Sequence, residues 1–242
     1  MRWIYISPHL DDSVLSAGGL IYEQVHTGMD VEIWTFMCGF PPEGELSPFA
    51  QVLHYQWGIT AAADLIHARR KEDKKAAAIV GAKTVHFNFL DCIYRRNSEG
   101  EWLYREGVFV PPHPDDAVLP VQIAAAISAR LKPDDKLVCQ FSVGSHVDHV
   151  LVRQAVELLQ RPLQYLVDVP YIFKTPEELS PHIVGMKETV YAVGEAGVWS
   201  WEEAVAAYQS QISGLFESLE AMRGQIRQYS AQNGGVRLWS PD

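Results

Sequence analysis

Short runs of β-branched, aliphatic and aromatic residues alternate along this chain with longer stretches of helical periodicity, and that alternation restricts its fold more than any other feature. Residues 2–7 (Arg2-Trp3-Ile4-Tyr5-Ile6-Ser7) read as a buried strand, and a helix follows over about 12–26 with Leu15, Leu20 and Ile21 among its apolar positions. Further strands are expected at 31–37, 84–89, 136–142 and 163–169. Helical stretches fall between them at 49–80, with a break indicated near Gly58 and a cap at Gly81, at 120–131 and at 149–159. Residues 92–117 are irregular and rich in charge, proline and aromatics, which reads as an excursion over the surface. Residues 182–193 read as a peripheral hairpin, and 201–231 as one long amphipathic helix ended by Gly234-Gly235. Strands alternating with helices specify an α/β fold with a mainly parallel sheet covered on both faces. The 242 residues suit a single domain over 1–242. Ligands of such sheets sit outside the C-terminal strand ends, so chemistry is expected just after Ser7, Met37, Phe89 and Ser142.

A net charge of -10 argues against nucleic acid and against anionic membrane surfaces as partners, since both need clustered Lys and Arg. Cys38, Cys92 and Cys139 are widely spaced and form no C-x-x-C, which excludes a thiolate zinc site or a disulfide framework and favours reduced cysteines in a cytoplasmic protein. No apolar run approaches the ~20 residues of a membrane-spanning helix.

Two segments at the expected strand ends carry metal-binding residue types. The first, Pro8-His9-Leu10-Asp11-Asp12, packs an imidazole and two carboxylates into four positions at a strand-to-helix turn. His9 and Asp12 can converge there on one ion, and Asp11 then stands beside the water held by that ion. The alternative is a loop in which Asp12 only caps the helix. Gly18 and Gly19 follow, where the helix needs to approach the sheet closely. The second segment, His146-Val147-Asp148-His149, opens a helix after the fourth expected strand. His149 can complete a His/Asp/His ligand set, His146 can face a substrate carbonyl, and Asp148 can keep His146 protonated for that purpose. Capping histidines are the plain alternative, but two such segments at two predicted strand ends point together to a hydrolytic metal site.

Strand, P-H-x-D-D, glycine pair and a distant H-x-D-H together resemble the LmbE-like or PIG-L-type zinc de-N-acetylases. Arg69-x-x-Glu72 ahead of an alanine-rich helix ending at Gly81, Asp91 after the third strand, and Tyr208-Gln209-Ser210-Gln211 are also similar to segments of that family. The resemblance implies a Rossmann-like three-layer fold and a zinc-dependent hydrolase that removes an N-acetyl group from an amino sugar such as N-acetylglucosamine or a glycoconjugate carrying one. It implies His9, Asp12 and His149 as ligands of zinc or another divalent transition metal, Asp11 as general base, and His146 as the residue assisting the carbonyl oxygen. Arg69 and Asp91 fall near positions that contact the sugar in some members. Ser13 stands where many members have Glu, and Leu10 where many have Pro; neither difference removes a ligand or the base.

A second string, Pro112-His113-Pro114-Asp115-Asp116, is closer in letters to the usual family motif. It follows proline rather than a strand and has no glycine pair behind it, so it is expected to line the entrance at most. Tyr94, Trp102, Tyr104 and Phe109 read either as an apolar wall for a sugar or as a satellite cluster. Cys38 is expected in the core, and His54, His67, His86 and His182 are read as structural. Two rival functions stand beside the hydrolase: a catalytically inactive metal-binding member of the same fold, and a nucleotide-binding Rossmann-type enzyme. Asp11 speaks against the first. The absence of G-x-G-x-x-G at the first turn, where an Asp pair would repel pyrophosphate, speaks against the second. The sequence leaves homo-oligomerisation open.

Overall fold

The first strand, β1 (Arg2–Ser7), is apolar on both faces, as a strand must be when helices cover both sides of its sheet. It pairs in parallel with β2 (Asp30–Thr35) on one side and with β4 (Lys136–Gln140) on the other. β3 (Lys83–His86) lies beyond β2, and β5 (Leu163–Leu166) beyond β4. The computed structural model describes residues 1–241, and among these the sheet has seven strands in the order β3-β2-β1-β4-β5-β7-β6. The α/β architecture with a mainly parallel sheet is therefore as expected. The chain winds outward from β1 to β2 and β3, then crosses back to β4 and on to β5 on the other side, which puts the topological switch point of the sheet between β1 and β4.

Helix α1 (Asp12–His26) follows β1, and α2 (Pro48–Gln56) and α3 (Ala62–Val80) follow β2. The expected break near Gly58 is real: that glycine has φ +73, and α2 ends before it. Helices α4 (Leu119–Ser128) and α5 (Val147–Glu157) flank β4 and pack on each other. Short helices α6 (Tyr171–Lys174) and α7 (Leu179–His182) follow β5. No helix among the described residues is long and apolar enough to cross a membrane.

Two expectations for the C-terminal third are corrected. The single long helix is three: α8 (Glu195–Ala206), α9 (Gln209–Leu215) and α10 (Leu219–Asn233). The apolar periodicity continues across the breaks, but local bonds override it. Tyr208 donates its hydroxyl to Asp73 Oδ1 (2.9 Å) at the first break. Phe216 turns extended and is buried at the second, and Ser218 Oγ accepts from Ala221 N–H to start α10. The hairpin at 182–193 is instead one strand, β6 (Met186–Tyr191), and its partner is the tail, β7 (Val236–Pro241). β7 lies antiparallel between β5 and β6. Gly235 makes that pairing possible: its φ is +126, and a Cβ there would lie 2.1 Å from the Tyr191 carbonyl oxygen.

The glycine pair also works differently from expectation. Gly18 and Gly19 let α8, rather than the sheet, come close, since a Cβ on Gly18 would meet Trp201 Cδ1 at 2.5 Å. The indole Nε1–H of Trp201 donates to the carbonyls of Val14 (2.7 Å) and Leu15 (3.2 Å), next to the non-helical Ala17 that kinks α1.

Candidate metal centre

β1 and β4 are neighbours, so the segments that follow them meet above the sheet. His9 and Asp12 come from the turn after β1, and His149 from the first turn of α5. Asp12 Oδ2 accepts the backbone N–H of His9 (2.7 Å) and lies 3.2 Å from His9 Nδ1 and 3.3 Å from His149 Nε2. The three residues singled out as ligands are thus brought together, all buried. Ring nitrogens of His9, His146 and His149 also lie within 4.8 Å of one another.

His9 and His149 each have a carboxylate behind the ring. His149 Nδ1–H donates to Asp168 Oδ1 (2.8 Å), and His9 Nε2–H donates to Asp148 Oδ2 (3.1 Å). Those bonds place the protons away from the centre and leave lone pairs on His149 Nε2 and His9 Nδ1 facing Asp12. His149 Nε2 is buried and has no hydrogen-bond partner among the described residues; Asp12 Oδ2 is near it but out of line. A buried ring nitrogen without a partner is costly whichever proton state it holds, and a metal cation bound by these three residues removes the cost. The electrostatics agree. Burial works against charge on Asp12, but His149 and His9 overcome it and hold the carboxyl well below its usual range. Burial works against charge on His149 too, yet Asp12 and Asp168 push it up to about 9. The carboxylates demand positive charge here, and a divalent metal can supply it in place of protons.

Two overlapping donor groups, Cys92/His146/Asp148 and His9/Asp91/Asp148, share Asp148. That carboxylate is already committed to Arg95 NH2 (2.6 Å), the Cys92 N–H (2.9 Å) and His9. Its charge favours the protonated form of His146, in the direction expected, but other causes outweigh it. His146 caps α5, its Nδ1 accepting the Asp148 backbone N–H (3.2 Å). Burial, then the His9 and His149 rings, lower the His146 pKa well below its ordinary value. With Nδ1 engaged as an acceptor, the neutral ring carries its proton on Nε2.

Asp11 is the N-cap residue of α1 but makes no side-chain cap bond, so its carboxylate is free. Burial, then repulsion from Asp12, push its pKa up to about 6, while Arg69 pulls the other way. Arg69 NH2 lies 3.7 Å from Asp11 Oδ2, and its guanidinium covers the Trp57 ring at 5.2 Å. Asp91 Oδ1 accepts the Ile93 N–H (3.2 Å).

His9, Asp11, Asp12, Arg69, Asp91 and His146 all face one cavity of about 360 Å³. Its far wall is apolar: Phe49 and Leu53 of α2, Trp57, Phe109 of the excursion and Leu215 of α9. Gln211 completes it; its Nε2–H donates to Ser210 Oγ (2.9 Å), whose hydroxyl donates to Glu72 Oε2 (2.6 Å). That explains why Glu72 and the Tyr208–Gln211 segment matter together. Of the four aromatics weighed as a sugar wall, Phe109 lines the cavity and the others do not: Tyr94 donates its hydroxyl to His54, Tyr104 pairs with Asp116, and Trp102 lies under Arg96.

The string at 112–116 is not at the cavity. His113 caps a short 3-10 turn, and Asp116 is buried against Tyr104 Oη (2.6 Å) and Arg95 Nε (2.9 Å). Cys38 is core, donating to the Phe87 carbonyl (3.1 Å). His86 is paired with Asp73, and His182 with Arg153. Sequence reasoning missed Asp168, Arg95 and Trp57, and named Gln211 only as part of a family-like segment. Asp168 alone had a usable sign, being an acid just past the end of a parallel strand.

Comparison with known proteins agrees with this geometry. Residues 4–159 match the family model PIG-L, described as GlcNAc-PI de-N-acetylase. The chain is 26% identical to 2'-N-acetylparomamine deacetylase of Niallia circulans over 97% of this chain and 86% of that protein. It superposes on the zinc-inhibited form of teicoplanin deacetylase Orf2 with a TM-score of 0.83 and 28% identity, covering 99% of this chain and 97% of the other. The A40926 pseudoaglycone deacetylase Dbv21 gives 0.73 and 26%, covering 99% and 96%.

Proposed function

Because the chain belongs to the PIG-L family and is a deacetylase, we propose that it is a metal-dependent amide hydrolase that frees the amine of an N-acetylated amino sugar carried on a glycoconjugate. The observation that carries this reading is the unpartnered, buried Nε2 of His149 facing Asp12 and His9, with Asp11 free beside them at the cavity floor. His9, Asp12 and His149 would hold zinc or a similar divalent ion, which supplies Lewis acidity and lowers the pKa of bound water toward ~7.

The chain's own groups divide the remaining work. Asp11, with a pKa near 6, is ionised at neutral pH and still basic enough to take a proton from the attacking water. It returns that proton to the leaving amine. His146 donates Nε2–H to the acetyl oxygen as that atom gains charge, acting as a neutral donor. Arg69 and Asp91 give the sugar a donor and an acceptor, and the Trp57 and Phe109 side takes its apolar face. The names of the relatives, which are deacetylases of 2'-N-acetylparomamine, teicoplanin and the A40926 pseudoaglycone, support this substrate class. A binding protein without turnover is disfavoured by Asp11, which a mere metal site does not need. We also place the protein in the cytoplasm, supported by three buried, unpaired cysteines.

The test is metal analysis joined to a screen of N-acetylated amino sugars for released amine. His149→Ala should lose metal and activity together, while His113→Ala keeps both. Metal loss in His113→Ala with retention in His149→Ala would move the site to the other string.

A further inference from the structure

Arg95 takes no part in the reaction described above, yet it is buried between two carboxylates that need it. Its NH2 lies 2.6 Å from Asp148 Oδ1 and its Nε 2.9 Å from Asp116 Oδ2. Its NH1 donates to the Leu90 carbonyl (3.0 Å), and the Tyr104 ring lies 5.2 Å from its guanidinium. Tyr104 donates its hydroxyl to Asp116 Oδ2 (2.6 Å) and accepts the His113 N–H (2.9 Å). From the ligand outward the order is His9, Asp148, Arg95, Asp116, Tyr104. Asp148 is fully buried, and among the described residues no other side-chain cation is paired with its Oδ1.

We propose that Arg95 is a positioning residue for the metal centre: it neutralises and aims Asp148, which holds the His9 proton on Nε2 and so presents Nδ1 as the metal donor. The string at 112–116 then has a purpose, because its Asp116 fixes the far side of the guanidinium. These contacts are charge pairing rather than aligned hydrogen bonds, since Arg95 Nε and NH2 and Asp148 Oδ1 have no aligned partner, and a guanidinium is broad enough to neutralise both carboxylates at once where an ammonium is a single point. The inference rests on the reading of His9 as a ligand.

The experiment measures zinc affinity of the full chain by chelator competition, with the visible spectrum of the cobalt(II)-loaded protein and the apo-protein melting temperature as separate readouts. Wild type and His9→Ala come first: tight binding lost in His9→Ala upholds the ligand reading, and unchanged binding removes it together with this inference. Given that result, Arg95→Lys should bind zinc about 10- to 100-fold more weakly, the usual effect of losing a partner behind a ligand, and shift the cobalt spectrum. Asp116→Asn should do the same to a smaller degree. Arg70→Lys is the control, since Arg70 bonds the Cys38 and Phe87 carbonyls away from the centre. It should change melting temperature alone. If Arg95→Lys and Asp116→Asn both fold and keep wild-type zinc affinity and cobalt spectrum, the positioning role is overturned while the His9 reading stands. Should Arg95→Lys fail to fold, Asp116→Asn decides.

Discussion

Asp168 holds both ends of the second site segment: its Oδ1 takes the His149 Nδ1–H at 2.8 Å, and its Oδ2 takes the Val143 N–H at 2.9 Å. One carboxylate thus fixes the tautomer of a ligand and the turn that delivers it. Asp168→Asn offers an amide in its place and lets the ring rotate. Metal affinity should fall about 10- to 100-fold, measured by chelator competition. Unchanged affinity would make Asp168 a turn residue only.

Asp11 is separable from the metal in the proposed chemistry. Asp11→Asn keeps shape and removes the base, so metal content should stay at wild-type level while turnover falls ~10²- to 10⁴-fold. Steady-state kinetics beside metal analysis checks this. Near-normal turnover would hand the proton to another group.

Gly18 tests the packing that supports the first site segment. Gly18→Ala drives a methyl against Trp201 and should cost about 1–3 kcal/mol, the usual range for overpacking. Urea denaturation reads the cost. A variant as stable as wild type would mean that α8 retreats freely.

His54 ties the cavity wall to pH. Its Nδ1–H donates to the Thr60 carbonyl (3.1 Å), and its Nε2 accepts the Tyr94 hydroxyl (2.6 Å), an arrangement that only the neutral ring can make. Burial lowers its pKa in the folded state, outweighing the Thr60 carbonyl. The unfolded chain, with a histidine value near 6.5, therefore takes up this proton first as pH falls. The stability this group contributes is complete above about pH 6.5 and is lost as pH drops through the folded value. Melting temperature followed from pH 7 to 5 should decline less in His54→Gln than in wild type. Equal slopes would assign the decline to other groups.

The parallel half of the fold and the meeting of His9, Asp12 and His149 were legible because they obey local rules. A strand followed at once by His9 and Asp12, or by His146 and His149, announces both its own end and the chemistry placed there. What stayed hidden was decided at a distance. Asp148 sits beside His146 in sequence, and its carboxylate nevertheless turns to Arg95, which reaches it from a segment with no periodicity to read. The helices of the C-terminal third share one apolar period, and only Asp73, Glu72 and the burial of Phe216 reveal where they part. β6 gives no sign that its partner is the tail, because a two-residue turn would be needed for a hairpin signature and no such turn exists.

The placement of β7 sets an order on how the molecule is made. Among the described residues β6 pairs with no strand but β7, so during synthesis it emerges from the ribosome with no strand partner until residues 236–241 follow. The proposed metal ligands and the acids behind them all precede residue 169 and are joined by strands that pair among themselves. A nascent chain can therefore gather its reacting groups early and close its sheet late. During that interval β6 is an unpaired edge, open to association with other nascent chains.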